Sequence, residues 1–153
     1  EDALALFLSD KGKLLSNKLP YFLDEGVDDL SLANSHPRVL YRKGTELWMV
    51  DFEREREKTF FEKGSTPRRI YKGKEVLGNL LWFYDDRYVL FLEGNRVKVL
   101  DFEGEGEATQ LFEISGEFPQ VILDRKRGFL YFIHPDRNRF ARVKLFEEEG
   151  LFP

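Results

Sequence analysis

His36 and His134 are the only histidines in the chain, and each stands directly before a proline. An imidazole acting as a metal ligand or general base needs partners within hydrogen-bond reach. The chain has no cysteine, so a zinc site would have to be completed by carboxylates. Both histidines fall in turns between expected strands, and the two turns are not equivalent. His134-Pro135-Asp136 sets an imidazole beside a carboxylate, but the chain has no Gly-x-Ser-x-Gly elbow and none of its serines has suitable surroundings. Carboxylates pair at Asp24-Glu25, Asp28-Asp29 and Asp85-Asp86. The EF-hand loop pattern is absent, and these pairs read as solvated turns. Gly104-Glu105-Gly106 lacks the Lys-Ser/Thr of a phosphate loop, and its surrounding glutamates repel phosphate. No catalytic residue, metal ligand or cofactor is assigned, and the chain is read as non-enzymatic.

Three residues carry a binding signal. Trp48 is of the type enriched at interface hot spots, and Arg68 and Arg69 lie in a basic segment with Lys63, Lys72 and Lys74. That segment is flanked by Glu62 and Glu75, and the whole chain has a net charge of -4. The segment reads first as a solvated loop between blades; as a binding surface it suits an acidic protein better than nucleic acid. ALALFLSD near the N-terminus is apolar over too short a run to be a membrane span, and it lacks the basic flank of a signal peptide. Residue 1 is Glu1, which leaves room for a segment removed earlier. The missing cysteines leave the compartment open, with an extracytoplasmic location slightly favoured.

The elements that must position these residues are strands. Apolar runs are short, rich in Val, Leu, Phe, Tyr and Trp, and punctuated by Gly, Asn, Asp and Pro. With 42% hydrophobic and 15% aromatic residues, the chain suits one folded domain. VLYRKGTELWMVDFE (Val39 to Glu53) aligns without gaps on VLFLEGNRVKVLDFE (Val89 to Glu103). Six of the fifteen positions are identical, against about one expected for unrelated segments of ordinary composition. Self-similarity at this spacing signals a solenoid, array or propeller.

The middle unit predicts strands over 80–84, 88–92, 96–100 and 108–113, with polar turns at 85–87 and 93–95. The unit before it predicts strands over 29–33, 39–42, 46–50 and 58–62. The third predicts strands over 120–123, 129–133 and 139–145 and no clear fourth. An N-terminal hairpin is expected over 3–19, and connectors over 20–28 and 63–78. The recurring Asp51 and Asp101 are expected to cap strand ends by accepting backbone N–H groups.

WFYDDRYVLFLEGNRVKVLDFE resembles the WD-repeat-like blades of TolB-type β-propellers through Trp82, the Asp85-to-Arg87 turn, the Val89-to-Phe91 strand and the Leu100-Asp101 close. It is also similar, more loosely, to the propellers of bacterial PEGA-domain proteins. Asp86 stands where that pattern has Gly. The resemblance implies an all-β propeller, and such a propeller normally has about six blades, where this chain carries about three and a half. The expectation is a single domain over 1–153: an N-terminal hairpin, then blades over about 28–62, 78–113 and 118–147. It would be a partial propeller completed by a protein partner or a second copy. The expected role is protein binding or scaffolding. The alternatives are an accessory propeller of a prolyl-oligopeptidase-like hydrolase and a carbohydrate- or small-ligand-binding propeller.

Overall fold

A computed structural model describes residues 3–18, 21–52, 66–101, 107–114, 120–134 and 139–145, without the side chains of 84, 85, 133 and 134. The first sheet is β1 (Leu6–Leu8), β2 (Leu14–Ser16) and β3 (Phe22–Asp24). The second is β4 (Asp29–Leu32), β5 (Arg38–Lys43), β6 (Glu46–Asp51) and β7 (Arg68–Lys72). The third is β8 (Leu77–Phe83), β9 (Tyr88–Glu93), β10 (Arg96–Asp101) and β11 (Ala108–Glu113), with a single helical turn, α1 (Tyr84–Arg87), between β8 and β9. The fourth is β12 (Val121–Asp124), β13 (Phe129–His134) and β14 (Arg139–Lys144). Within each sheet the strands pair antiparallel in chain order. Among the described residues the fold is all-β apart from α1, a partial β-propeller of four sheets.

The repeat marks the two central hairpins. Val39 to Asp51 forms β5–β6 and Val89 to Asp101 forms β9–β10, with matching registers. Gly44 and Gly94 turn both hairpins at φ 56°, a left-handed conformation that a β-carbon disfavours. Alternate side chains of each inner strand leave by opposite faces. Val39 and Tyr41 join Leu14 and Leu23 in a core between the first and second sheets. Leu40 joins Leu80, Trp82, Val89 and Phe91 between the second and third. Leu90 and Leu92 join Val121 and Leu130 between the third and fourth. Tyr88 to Leu92 does not alternate in polarity because both faces of β9 meet a neighbouring sheet. A buried aromatic such as Phe91 removes roughly 150 Å² or more from water, about 4 kcal/mol of gross driving force.

Several boundaries differ from expectation. The outer strand of the second sheet is β7, drawn from the segment read as a connector; residues 58–62 lie outside the described residues. Ile70 and Tyr71 drive this by packing on the core between the second and third sheets, while the basic residues around them stay at the sheet edge. The N-terminal hairpin gains a third strand, β3, because Leu23 buries against the second sheet. The expected turn at 85–87 is part of α1. The third unit has three strands among the described residues, as its sequence indicates.

Candidate functional site

The β6–β7 ladder brings Trp48 and Arg69 together on one face and sets Arg68 beside Met49 on the other. Trp48 and Met49 pair with Arg69 and Arg68 across a bulge at Leu47/Trp48. Glu46 organises the cluster. It accepts a hydrogen bond from Trp48 Nε1 at 3.1 Å and one from Arg69 Nη1 at 3.0 Å, and Lys72 Nζ lies 3.4 Å away. Burial pushes the Glu46 carboxyl up, but the bonds from Trp48, Lys72 and Arg69 bring it below its ordinary value. The Trp48 ring is half-buried against the core between the first and second sheets, and Lys43 Nζ sits 5.2 Å from its centre. Arg68 and Arg69 are exposed on the outer strand of the sheet.

Lys98 occupies the place of Trp48 in the third sheet. It does not reach solvent freely: only 15% of its side chain is exposed, and it pairs with the buried Glu93. Positions 43 and 48 touch in one sheet, and positions 93 and 98 touch in the next. A Lys–Trp contact in the second sheet thus becomes a Glu–Lys pair in the third. Glu93 also accepts from the Tyr71 hydroxyl at 2.9 Å and the Lys74 N–H at 2.5 Å, both on the segment leaving the second sheet. Burial raises the Glu93 carboxyl, yet Lys98, Lys74 and Tyr71 together hold it down at about 2. At the preceding junction Asp24 accepts from Tyr41 Oη and Lys43 Nζ, each at 2.9 Å. Burial and that bond together push the Tyr41 hydroxyl far up. Sequence reasoning missed these junctions. The signal for them was the paired difference at 43/93 and 48/98 within an otherwise matching repeat.

Asp86 closes the opposite side of the second-to-third junction. Its φ of 57° is the left-handed conformation that glycine adopts most readily, which accounts for the glycine of the resembling pattern. The carboxylate is nearly inaccessible. It accepts from Asn34 Nδ2 at 3.0 Å and from the Ser35 N–H at 2.5 Å, in the turn between β4 and β5. Desolvation raises this carboxyl, but the bonds from Asn34, Ser35 and His36 take it below its ordinary value. Asp86→Gly is expected to relieve backbone strain yet lose these bonds, with a net cost of about 1–2 kcal/mol. Asp86→Ala should cost about 1 kcal/mol more, because a β-carbon remains at positive φ. Paired chemical denaturation curves would read the difference.

His36 Nδ1 lies 3.7 Å from Asp86 Oδ2, so its place is the edge of this clasp. His134 ends β13; its side chain, Asp136 and the Gly104–Gly106 loop lie outside the described residues. Asp51 and Asp101 each take an arginine: Arg38 Nε at 2.8 Å and Arg87 Nη2 at 2.6 Å. Among the described residues, no group of three or more His, Asp or Glu could hold a metal ion. Among them also, no helix is long and apolar enough to cross a membrane.

No protein-family model matches the chain, and comparison with curated proteins finds no match. Among solved structures it is similar to the β-propeller domain of Cps50 (Swd1) from Myceliophteria thermophila, with a TM-score of 0.62 and 11% identity. The match covers 94% of this chain and 50% of that one, so this chain spans about half the length of that chain. The likeness shows the propeller fold.

Proposed function

We propose that the chain is a non-enzymatic protein-binding module of the WD-repeat-like, TolB-type kind, with Trp48, Arg68 and Arg69 as its contact residues. The observation that carries this reading is the β6–β7 edge: a half-buried tryptophan held beside exposed Arg69, with exposed Arg68 next along the same outer strand on its other face. An aromatic anchor fixed by its own sheet loses little rotamer freedom on binding, and neighbouring arginines can fork onto carboxylates. The matching partner is an acidic protein surface. Charged residues on an outer strand also discourage unwanted sheet pairing, so binding needs its own test.

The test uses the full chain as bait and compares it with Arg68→Glu/Arg69→Glu and with Trp48→Ala. A protein captured by the wild type should be lost from the double variant and weakened by roughly tenfold or more with Trp48→Ala, if Trp48 acts as a hot spot. Capture should fall as salt is raised, since exposed charges are screened beyond about 10 Å at 0.1 M. The same proteins recovered by all three baits, with unchanged melting curves, would refute the assignment.

A further inference from the structure

The outer faces of the first and fourth sheets follow the same positional rules as the inner ones. Tyr41, Phe91 and Phe132 stand two residues before the pair that closes each central hairpin: Lys43–Glu46, Glu93–Arg96 and His134–Arg139. All three pack toward the preceding sheet. In the first sheet the hairpin closes at Ser9–Lys13, and the equivalent aromatic is Phe7, which is 61% exposed. Its cross-strand neighbours on that face are Leu15 and then Phe22, also exposed.

The other end shows the converse. Leu90 and Val97 are buried toward the following sheet, with Leu81 packed beside them. Their counterparts in the fourth sheet are Tyr131, Phe140 and Ile122, by the registers of β8–β9–β10 and β12–β13–β14. Ile122 is 66% and Phe140 77% exposed. The first sheet thus has an apolar face of the kind that receives a preceding sheet. The fourth has one of the kind that receives a following sheet.

We infer that two copies of this chain stack head to tail, the first sheet of each on the fourth sheet of the other. This rests on reading the chain as a protein-binding propeller module, but it uses a surface separate from Trp48, Arg68 and Arg69. The two faces have opposite sense, so each fits the other and neither fits itself. Such a contact is heterologous, and it forms a closed assembly only when the rotation between copies closes. The four described sheets match about half of a propeller chain, the number for which two copies would complete one ring. The resulting eight sheets lie within the usual range of about 4–8 blades.

The test measures solution mass by light scattering for the full chain, Phe7→Lys, Phe140→Glu and an equimolar mixture of the two variants. The wild type is expected at twice 18.1 kDa. Each variant alone should run as a folded monomer, because each spoils both contacts of the pair. The mixture should recover the two-chain mass, because one contact is then unmodified and the other sets Lys against Glu. A wild type that stays monomeric at high concentration overturns the inference. So does a two-chain Phe7→Lys beside a monomeric Phe140→Glu, which would mark a contact of the fourth sheet with itself.

Should either charge variant unfold, Phe7→Cys and Phe140→Cys chains mixed under oxidising conditions give a second reading, since the chain has no native cysteine. Preferential disulfides between the two different variants, joining position 7 to position 140, support the stacking. Like-to-like cross-links overturn it. Partner capture by a monomeric Phe140→Glu chain reports on the arginine–tryptophan cluster alone, so failure of one reading is visible apart from failure of the other.

Discussion

Lys98→Ala should destabilise the protein by about 3–5 kcal/mol, the usual cost of removing one partner from a buried ion pair. Lys98 is the only cation given to Glu93 among the described contacts, and only 2% of the Glu93 side chain is exposed. Its other donors, Tyr71 Oη and the Lys74 and Glu75 N–H groups, are neutral dipoles that do not cancel a full charge. The sign of the pH dependence follows from the direction of the shift. Glu93 titrates at about 2 in the fold against an ordinary 4.5, so its ionised form contributes on the order of 3 kcal/mol above the unfolded value. That contribution is lost as pH falls from about 5 toward 2. The gap between wild type and Lys98→Ala should therefore be widest near neutrality and narrow in acid. Lys98 is shifted up: burial lowers it, but Glu93 and Tyr71 more than compensate. Its contribution holds below the ordinary 10.5 and is lost as pH rises through the folded value. Urea denaturation at pH 7 and pH 3 would check the acid limb. The double variant Glu93→Leu/Lys98→Met should recover much of the loss, since a packed apolar pair avoids the desolvation cost. A pH-independent deficit would point to lost packing in place of lost charge.

The central hairpins were legible because each layer of signal agreed. Gly44 and Gly94 supply the turns, and unbroken apolar runs such as Val89 to Leu92 mark strands covered on both faces. The strands that sequence misplaced lie at the edges, where one face or one rim is wet. In β7 only Ile70 and Tyr71 are apolar, between basic residues, and its ladder with β6 carries a bulge. In β3 Leu23 alone is buried, too few positions to set a period. The Trp48–Arg69 pairing is hidden because the sequence predicts the outer strand over 58–62 and puts Arg69 in a connector over 63–78. Asp86 looked like an ordinary turn acid because its function depends on a φ and on a turn in the neighbouring sheet. The exposed end faces carry the same apolar types as the buried ones, so only the registers distinguish them.

Trp82→Ala is the second large effect, expected at about 3–5 kcal/mol, within the range for removing a large aromatic from a packed core. Trp82 is fully buried in β8 among Leu40, Met49, Phe91 and other residues of the core between the second and third sheets. Its Nε1 donates to the Ser31 carbonyl at 3.0 Å, a bond from the third sheet to β4. The substitution leaves a cavity at the central junction and takes a donor from a carbonyl of the neighbouring sheet. Trp82→Phe keeps most of the apolar volume and loses the indole N–H, so it should cost about 1–2 kcal/mol. Single domains retain roughly 5–15 kcal/mol of net stability, so Trp82→Ala consumes a large share of it at one junction. The sheets on each side keep their own hairpins, so loss of cooperativity is expected to accompany the loss of stability. In Trp82→Ala the fluorescence comes from Trp48 alone and reports the first junction, whereas in wild type Trp82 adds the second-to-third junction; far-UV circular dichroism reports the whole chain. In wild type the two transitions should coincide, and in Trp82→Ala they should separate. Coincident transitions at a lower midpoint would instead show that the remaining contacts, including the Asp86 and Glu93 ties, hold the second and third sheets as one unit.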